Sequence, residues 1–309
     1  MGTIQVIQAG LLTTIQDLGR WGFGRVGMPV TGVMDEYAAR LANILLGSDE
    51  NAPMLEMTLI GPTLVFDAEL SFTITGANLQ PRLNNRPIAL WATQQARAGD
   101  RLQFASPLDG CRAYLAVNGG FEAEHIMDSA STYLRGKLGG YAGRTLQKGD
   151  LLKCCVKPSE VLKLGMSIPQ AYRPEYRRRI RVILGPQNGA FTAQGLDTFL
   201  SAEYHVSDEA DRMGYRLEGP KIEHKGSADI ISDGVALGAI QVPAHGRPII
   251  MLADRQTTGG YAKIANVISV DIPSVAQMKP GDTLTFEQIS IESAQQLYRK
   301  RETKIAQFK

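Results

Sequence analysis

Short apolar runs separated by glycine, proline and asparagine turns dominate the hydrophobic pattern of this chain, which predicts strands more often than helices. Thr3 to Gln8 and Leu11 to Ile15 open the series, and Leu55 to Leu59 follows, closed by Gly61-Pro62. Glu56 interrupts that last run and is expected half exposed on an open sheet face. From Gly61 to Phe104 the runs TLVF, SFTITG, PIALWAT and RLQF succeed one another, with turns at Asn84-Asn85 and Gly99-Asp100. Cys111 to Val117 leads into Gly119-Gly120, and residues 131 to 150 form a long glycine-rich segment with neither period. Further on, Gly238 to Val242 and Pro248 to Ala253 flank a Pro-Ala-His-Gly turn. Helical spacing is clear from Asp35 to Leu46, where Tyr37, Leu41, Ile44 and Leu45 share a face. Asp35 and Glu36 suit the N-terminal dipole there, and Gly47 supplies the stop. Ser290 to Lys300 reads as a short polar helix capped by Ser290 or Ser293, with a tail from Arg301 expected to fray.

The second half of the pattern repeats the first. Arg86-Pro87-Ile88 matches Arg247-Pro248-Ile249, Gly61-Pro62 matches Gly219-Pro220, and AGDRLQF from 98 matches PGDTLTF from 280. Single Gly-Pro or Gly-Asp turns recur by chance in β-proteins, but the matches fall in the same order, which favours a diverged internal duplication. The fold class predicted is mainly β with a few helices, as two related β-barrel units over 1–165 and 166–309. The seam is placed near 160 to 178. The extra length of the second copy falls around Thr257 to Val270, so binding or chemistry is expected in the second unit.

Charge narrows the function classes. With 33 Lys+Arg against 31 Asp+Glu the chain is too balanced to bind nucleic acid by neutralising phosphates. The basic run Arg173 to Arg181 reads as a solvated or partner-facing patch. No apolar run approaches the roughly 18 residues of a membrane span, and no secretory leader pattern opens the sequence, so a cytoplasmic, non-membrane protein is expected. Cys111, Cys154 and Cys155 have no zinc spacing, and the four histidines have no metal-type neighbours, so no metal is expected. Gly22, Gly24 and Gly27 spell a formal dinucleotide motif, but no amphipathic helix follows.

One stretch concentrates donors. After the Pro248–Ala253 run come Asp254, Arg255, Gln256, Thr257, Thr258, Gly259, Gly260 and Tyr261, with Lys263 just beyond. Paired glycines permit the dihedrals from which anion-holding nests are built, although Thr and Gly are equally common in plain turns. Gln241 precedes this stretch and Arg212 lies in a glycine-containing loop upstream. His245 reads as an exposed turn residue rather than a general base.

The segments TTIQDLGR (13–20), TGVMDEYAARLANILLG (31–47), RAYLAVNGG (112–120), DRMGYRLEG (211–219), GAIQVPAHGRPIIMLAD (238–254) and QTTGGYAKIA (256–265) resemble the C subunit of the bacterial ATP-dependent 5-oxoprolinase. That family overlaps allophanate-hydrolase subunit two and the biotin-dependent carboxyltransferases, including a segment of urea amidolyase, and a regulator that antagonises a kinase inhibitor. The resemblance implies cyclophilin-like β-barrel units and a place in a hetero-oligomer whose other members are an A subunit and a kinase-inhibitor-like B subunit. It implies a hydrolase that opens 5-oxoproline to L-glutamate with ATP. No P-loop motif occurs here, so ATP would bind atypically or on a partner.

Under that reading Arg212, Lys263 and the Thr257–Gly260 backbone would stabilise anionic charge, and Asp254 would orient water or a side chain. Gln241 and Gln256 would read the amide, with Thr257, Thr258, Gly259, Gly260 and Tyr261 lining the substrate site. Lys263 and Gln256 are expected outside the core, and a salt-bridged scaffold role for Lys263 remains open. The alternatives are the carboxyltransferase part of a biotin-dependent urea or amide carboxylase, with biotin on another chain, and a non-catalytic regulator binding a kinase inhibitor. Relatives carry Gly-Ser-Arg-Ser-Thr where this chain has Asp128-Ser129-Ala130-Ser131-Thr132, which removes an arginine at Ala130.

Overall fold

A computed structural model describes residues 2–155 and 165–308 of the 309-residue chain, so the part of the expected seam before Gly165 lies outside the described residues. The chain forms two compact units. One comprises Met1–Arg20, Thr31–Pro174 and Lys304–Lys309, and the other Trp21–Val30 and Glu175–Thr303.

The first unit is mainly β. Its strands are β1 (Gly2–Gln8), β2 (Leu12–Gln16), β3 (Met54–Thr58), β4 (Thr63–Phe66), β5 (Leu70–Asn78), β6 (Arg82–Leu83), β7 (Arg86–Pro87), β8 (Gln94–Ala96), β9 (Arg101–Gln103), β10 (Asp109–Val117) and β11 (Leu151–Cys154). They form a six-stranded sheet in the order β11-β1-β4-β9-β6-β7 and a five-stranded sheet in the order β2-β3-β10-β5-β8. Ile4, Leu64, Phe66, Phe72, Leu102, Leu115 and their neighbours fill the core of this unit. Helix α1 (Glu36–Leu45) forms where its apolar stripe predicts. The Asp35 carboxylate accepts the Ala38 N–H at 3.0 Å as the N-cap.

Three expectations for this unit are corrected. PIALWAT is not a strand, because Trp91 turns into the left-handed region at φ 59° to bury its indole. Glu56 is buried rather than half exposed, its Oε2 accepting the Met34 N–H at 2.8 Å and the Tyr114 hydroxyl at 3.0 Å. Burial, reinforced by the Glu56 charge, holds the Tyr114 phenol well above its usual range. The tail does not fray from Arg301: the last helix runs from Ile291 to Ala306, Ile305 is buried, and Phe308 meets Tyr172 edge-on at 4.7 Å.

In the glycine-rich segment Ala130 is fully buried and its N–H donates to Asp17 Oδ2 at 2.6 Å. The Ser129 and Ser131 hydroxyls donate to Asp17 Oδ1 at 2.7 and 2.5 Å. The Arg20 guanidinium donates to the Ser131 carbonyl. In this chain the segment is therefore wrapped around a buried carboxylate.

The second unit contains β12 (Arg179–Leu184), β13 (Tyr204–Val206), β14 (Gly214–Glu218), β15 (Asp229–Gly234), β16 (Ala239–Gln241), β17 (Ile249–Met251), β18 (Thr258–Tyr261), β19 (Lys263–Val267) and β20 (Thr283–Gln288). Seven of them close a barrel in the order β12-β19-β16-β17-β14-β13-β20, with β12 and β20 running parallel. Ile180, Val182, Leu284 and Phe286 alternate inward on the closing strands. Phe286 stacks on Phe199 of α2 (Ala193–Ser201) at 4.5 Å, a pair worth about 0.5–1.5 kcal/mol beyond its buried area. The arginine run is neutralised locally: Arg177, Arg178, Arg179 and Arg181 pair with Glu175, Asp282, Glu287 and Asp271. Gly22, Gly24 and Gly27 surround a single 3-10 turn, Gly24–Val26, with no helix behind it.

The matched Gly-Asp turns adopt one geometry. Asp100 Oδ2 accepts the Arg97 N–H at 2.7 Å, and Asp282 Oδ2 accepts the Lys279 N–H at 2.9 Å. Gly99 and Gly281 both sit near φ +88° and +85°. The same device recurs at Gln147 and Asp150 inside the first unit, so this match reports a turn type as much as an ancestry.

Candidate functional site

The first half of the donor-rich stretch, from Asp254 to Thr257, is the turn its composition predicts, and the second half is not. Thr258–Tyr261 is strand β18, paired antiparallel with β15 as a two-stranded ribbon, with Gly234 opposite Thr258, Asp233 opposite Gly259 and Asp229 opposite Tyr261. Two additional residues on β15 bulge outward between these pairs and leave Ile231 95% exposed. Neither Gly259 nor Gly260 has a positive φ, so the pair builds no anion-holding nest.

Gly259 is glycine for a different reason. A methyl group on it would lie 2.6 Å from Gln241 Nε2, 3.0 Å from Gln256 Nε2 and 3.1 Å from Val235 Cγ2. Two carboxamide nitrogens therefore converge over a bare Cα. Gln241 reaches this point from β16, where it is 2% exposed, and its Nε2 has no hydrogen-bond partner. Gln256 is half-buried and follows the turn in which the Arg255 N–H donates to the Leu252 carbonyl at 3.1 Å. Val235, Ala239 and Met251 form a small apolar cluster beside them. An unpartnered N–H buried in such a place is expensive, and an acceptor oxygen over Gly259 would satisfy it.

Asp254 and Arg212 are brought together, but with each other. Arg212 Nε and Nη2 donate to Asp254 Oδ2 and Oδ1, both at 3.1 Å, and the Asp254 N–H donates to the Arg212 carbonyl at 2.9 Å. Their side chains are 4% and 9% exposed, so the fork joins the start of β14 to the end of β17 as a buried bidentate pair. Lys263 is buried rather than outside the core. It stands opposite Gln241 in the β16–β19 ladder, and its Nζ donates to Asp233 Oδ2 at 2.9 Å and to the Gly234 carbonyl at 3.2 Å. Donation from Lys263, then from the Gly234 N–H, holds the exposed Asp233 carboxyl below its usual range. Thr258 and Tyr261 are exposed on the ribbon, and Thr257 is half-buried, its carbonyl accepting the Val235 N–H at 3.0 Å.

Arg255 is the residue that sequence reasoning passed over. Its Nε–H donates to the Val235 carbonyl at 2.9 Å and an Nη1–H to the Leu252 carbonyl at 3.2 Å. Burial pulls its guanidinium down to about 10. Its position in the run was visible, but its burial without a carboxylate was not. Asp233 was missed as well, because it lies thirty residues from Lys263 in the unremarkable segment ISDG.

Elsewhere, a groove of about 610 Å³ is lined by Arg216, Lys221, His245 and Arg247 among others and includes none of the predicted site residues. His245 is exposed there and accepts the Arg247 N–H at 3.1 Å. Among the described residues no group of three or more His, Cys, Asp or Glu is placed to hold a metal. No helix among them is long and apolar enough to cross a membrane.

Residues 26–288 match the profile of the carboxyltransferase domain, subdomain A and B. This chain belongs to that family. Within the family it is 38% identical to the 5-oxoprolinase C subunit of Haemophilus influenzae over 307 residues, 99% of this chain and 97% of that one. It is 37% identical to the 5-oxoprolinase C subunit of Escherichia coli, across 94% and 93% of the two chains. The fold matches the Kluyveromyces lactis urea carboxylase with a TM-score of 0.92 at 30% identity, covering 99% of this chain and 29% of that far longer one. The carboxyltransferase-domain family thus includes both components of 5-oxoprolinases and segments of urea-carboxylating enzymes.

Proposed function

We propose that this chain is the C subunit of an ATP-dependent 5-oxoprolinase, working in the cytoplasm with the A and B subunits to open 5-oxoproline to L-glutamate. The observation that carries this reading is the convergence of the Gln241 and Gln256 amide nitrogens over Gly259, with Gln241 Nε2 buried and unpartnered. Two N–H donors aimed at one point suit the carbonyl oxygen of a lactam. They would hold it more tightly as it gains negative charge when water adds to the carbon. The near full-length similarity to two 5-oxoprolinase C subunits supports the assignment.

Lactams resist water, so ATP would supply the driving force by phosphorylating the lactam oxygen. Water adds to the activated carbon, the ring C–N bond breaks with the nitrogen taking a proton, and the resulting acyl phosphate is hydrolysed to glutamate and phosphate. ATP would bind on this chain or on a partner. What this chain contributes is orientation: Gln241 and Gln256 fix the carbonyl, Lys263 lies buried beside Gln241 as a source of positive charge, and the Arg212–Asp254 pair holds the strand ends in place. The test is reconstitution. This chain mixed with the A and B subunits should release glutamate from 5-oxoproline with ATP present and not without it. Glutamate release that is unchanged when this chain is omitted would overturn the proposal.

A second reading is favoured by the likeness to urea carboxylase and by 33% identity to the urea amidolyase of Saccharomyces cerevisiae over 98% of this chain. Here the same two donors would hold the ureido carbonyl of a biotin carried by another chain. Transfer of labelled bicarbonate that avidin blocks would identify it.

A further inference from the structure

Arg255 is a buried cation with no acidic partner. It is 9% exposed, its two hydrogen bonds go to the Val235 and Leu252 carbonyls, and no carboxylate among the described residues lies within 4.0 Å of it. The neighbouring Asp254 is turned to Arg212 and engaged there through both oxygens. Burying a guanidinium without a counter-charge costs several kcal/mol, and proteins keep such groups where a charge arrives from outside. Two carbonyls fix the Nε edge and one Nη1–H. Among the described residues Nη2 takes part in no hydrogen bond. A guanidinium held at Nε and Nη1 keeps its Nη2 group to offer to an oxyanion.

Its place is next to the glutamine pair. The residue whose carbonyl takes the Arg255 Nε–H is Val235, and the Val235 side chain borders the same point over Gly259 on which Gln241 and Gln256 converge. One residue therefore separates a neutral acceptor-binding spot from a cation awaiting an anion.

We propose that Arg255 binds a carboxylate on the ligand whose carbonyl is held by Gln241 and Gln256, so that this site selects amides that also bear a carboxylate. The inference rests on the glutamine pair being the carbonyl site. 5-oxoproline carries such a carboxylate beside its lactam, and under the second reading a carboxylated biotin would carry one beside its ureido carbonyl.

The test compares two rings that differ in that group, 5-oxoproline and 2-pyrrolidinone, titrated calorimetrically into the assembled complex without nucleotide. The wild-type chain should bind 5-oxoproline about tenfold or more tighter than 2-pyrrolidinone, the scale of one charge-assisted hydrogen bond. Arg255→Gln should remove that difference by weakening 5-oxoproline alone, and Arg255→Lys should restore part of it. Equal affinities for the two rings in the wild type overturn the inference, whether or not the variants fold. So does an unchanged 5-oxoproline affinity in a folded Arg255→Gln. If 2-pyrrolidinone binds and Gly259→Ala does not weaken it, the glutamine site itself is wrong. If neither ring binds, the glutamine pair is not a lactam site and the inference drawn from it for Arg255 falls with it.

Discussion

Replacing Asp254 by alanine strips the Arg212 guanidinium of a carboxylate that both its Nε and Nη2 reach at 3.1 Å, with the two side chains only 4% and 9% exposed. Removing one member of a buried pair leaves the other charged and poorly solvated, at a cost of about 3–5 kcal/mol. For a domain of roughly 150–250 residues each kcal/mol moves the melting temperature by about 2–4 °C, so Asp254→Ala should melt roughly 10 °C below the parent. The double variant Arg212→Met with Asp254→Leu removes both charges for side chains of similar bulk and should recover most of the loss. Thermal unfolding followed by circular dichroism on the parent, Arg212→Met, Asp254→Leu and the double variant reads the coupling directly. Glutamate release in the assembled complex then separates the roles. Stability recovered without activity would assign the pair a part in the chemistry, and recovery of both would make it scaffold. An Asp254→Ala protein that melts with the parent would refute the reasoning, because the carboxylate would not be holding the guanidinium.

Four further outcomes are expected. Gly259→Ala places a methyl 2.6 Å from Gln241 Nε2, the movable end of a side chain, on a backbone that tolerates any residue; it should change stability by no more than about 2 kcal/mol while abolishing ligand binding by calorimetry. Gln256→Ala should leave the melting temperature nearly unchanged, whereas Lys263→Ala should lower it, since Lys263 is buried and hydrogen-bonded through its side chain and Gln256 is only half-buried. Asp233 is depressed by Lys263, so the stability it contributes is present above the ordinary carboxylate value of 3.8 and is lost as pH falls through its lower folded value. An NMR titration should therefore find the Asp233 carboxyl moving back up in Lys263→Ala. Burial pushes the Cys154 thiol up to about 12, and Cys111 is buried as well, so a disulfide reagent at mild pH should label exposed Cys155 slowly and the other two only on unfolding.

What was legible in the sequence was what neighbours in the chain decide. The α1 helix carries its own stripe and its own cap at Asp35, and the runs TLVF and SFTITG form β4 and β5 where their apolar spacing put strands. What was not legible depends on partners brought from far away. Thr258-Gly259-Gly260 reads as a turn, and it is a strand because β15 pairs with it. Glu56 reads as half-solvated, and it is buried because Tyr114, 58 residues on, supplies a hydroxyl. The candidate site divides the same way. Gln241 and Gln256 were placed in it by their motifs, and they do meet over Gly259. The sequence cast Arg212 and Lys263 as donors to anionic charge and Asp254 as orienting water or a side chain, with a salt-bridged Lys263 left open. Long-range pairing engages all three, and it leaves Arg255, which no motif singled out, as the cation without a carboxylate.

The β15–β18 ribbon has a mechanical consequence. Among the described residues β15 bonds to a strand on one side only, and its side-chain tie to the barrel is the bridge from Asp233, 57% exposed, to Lys263. A clasp open to solvent is weakened by dissolved salt, which shields it at distances near the Debye length. Amides from 229 to 234 should therefore exchange with deuterium faster as ionic strength rises, while the barrel strands behind them keep their protection. Access to the glutamine pair would then be set partly by the medium around the protein.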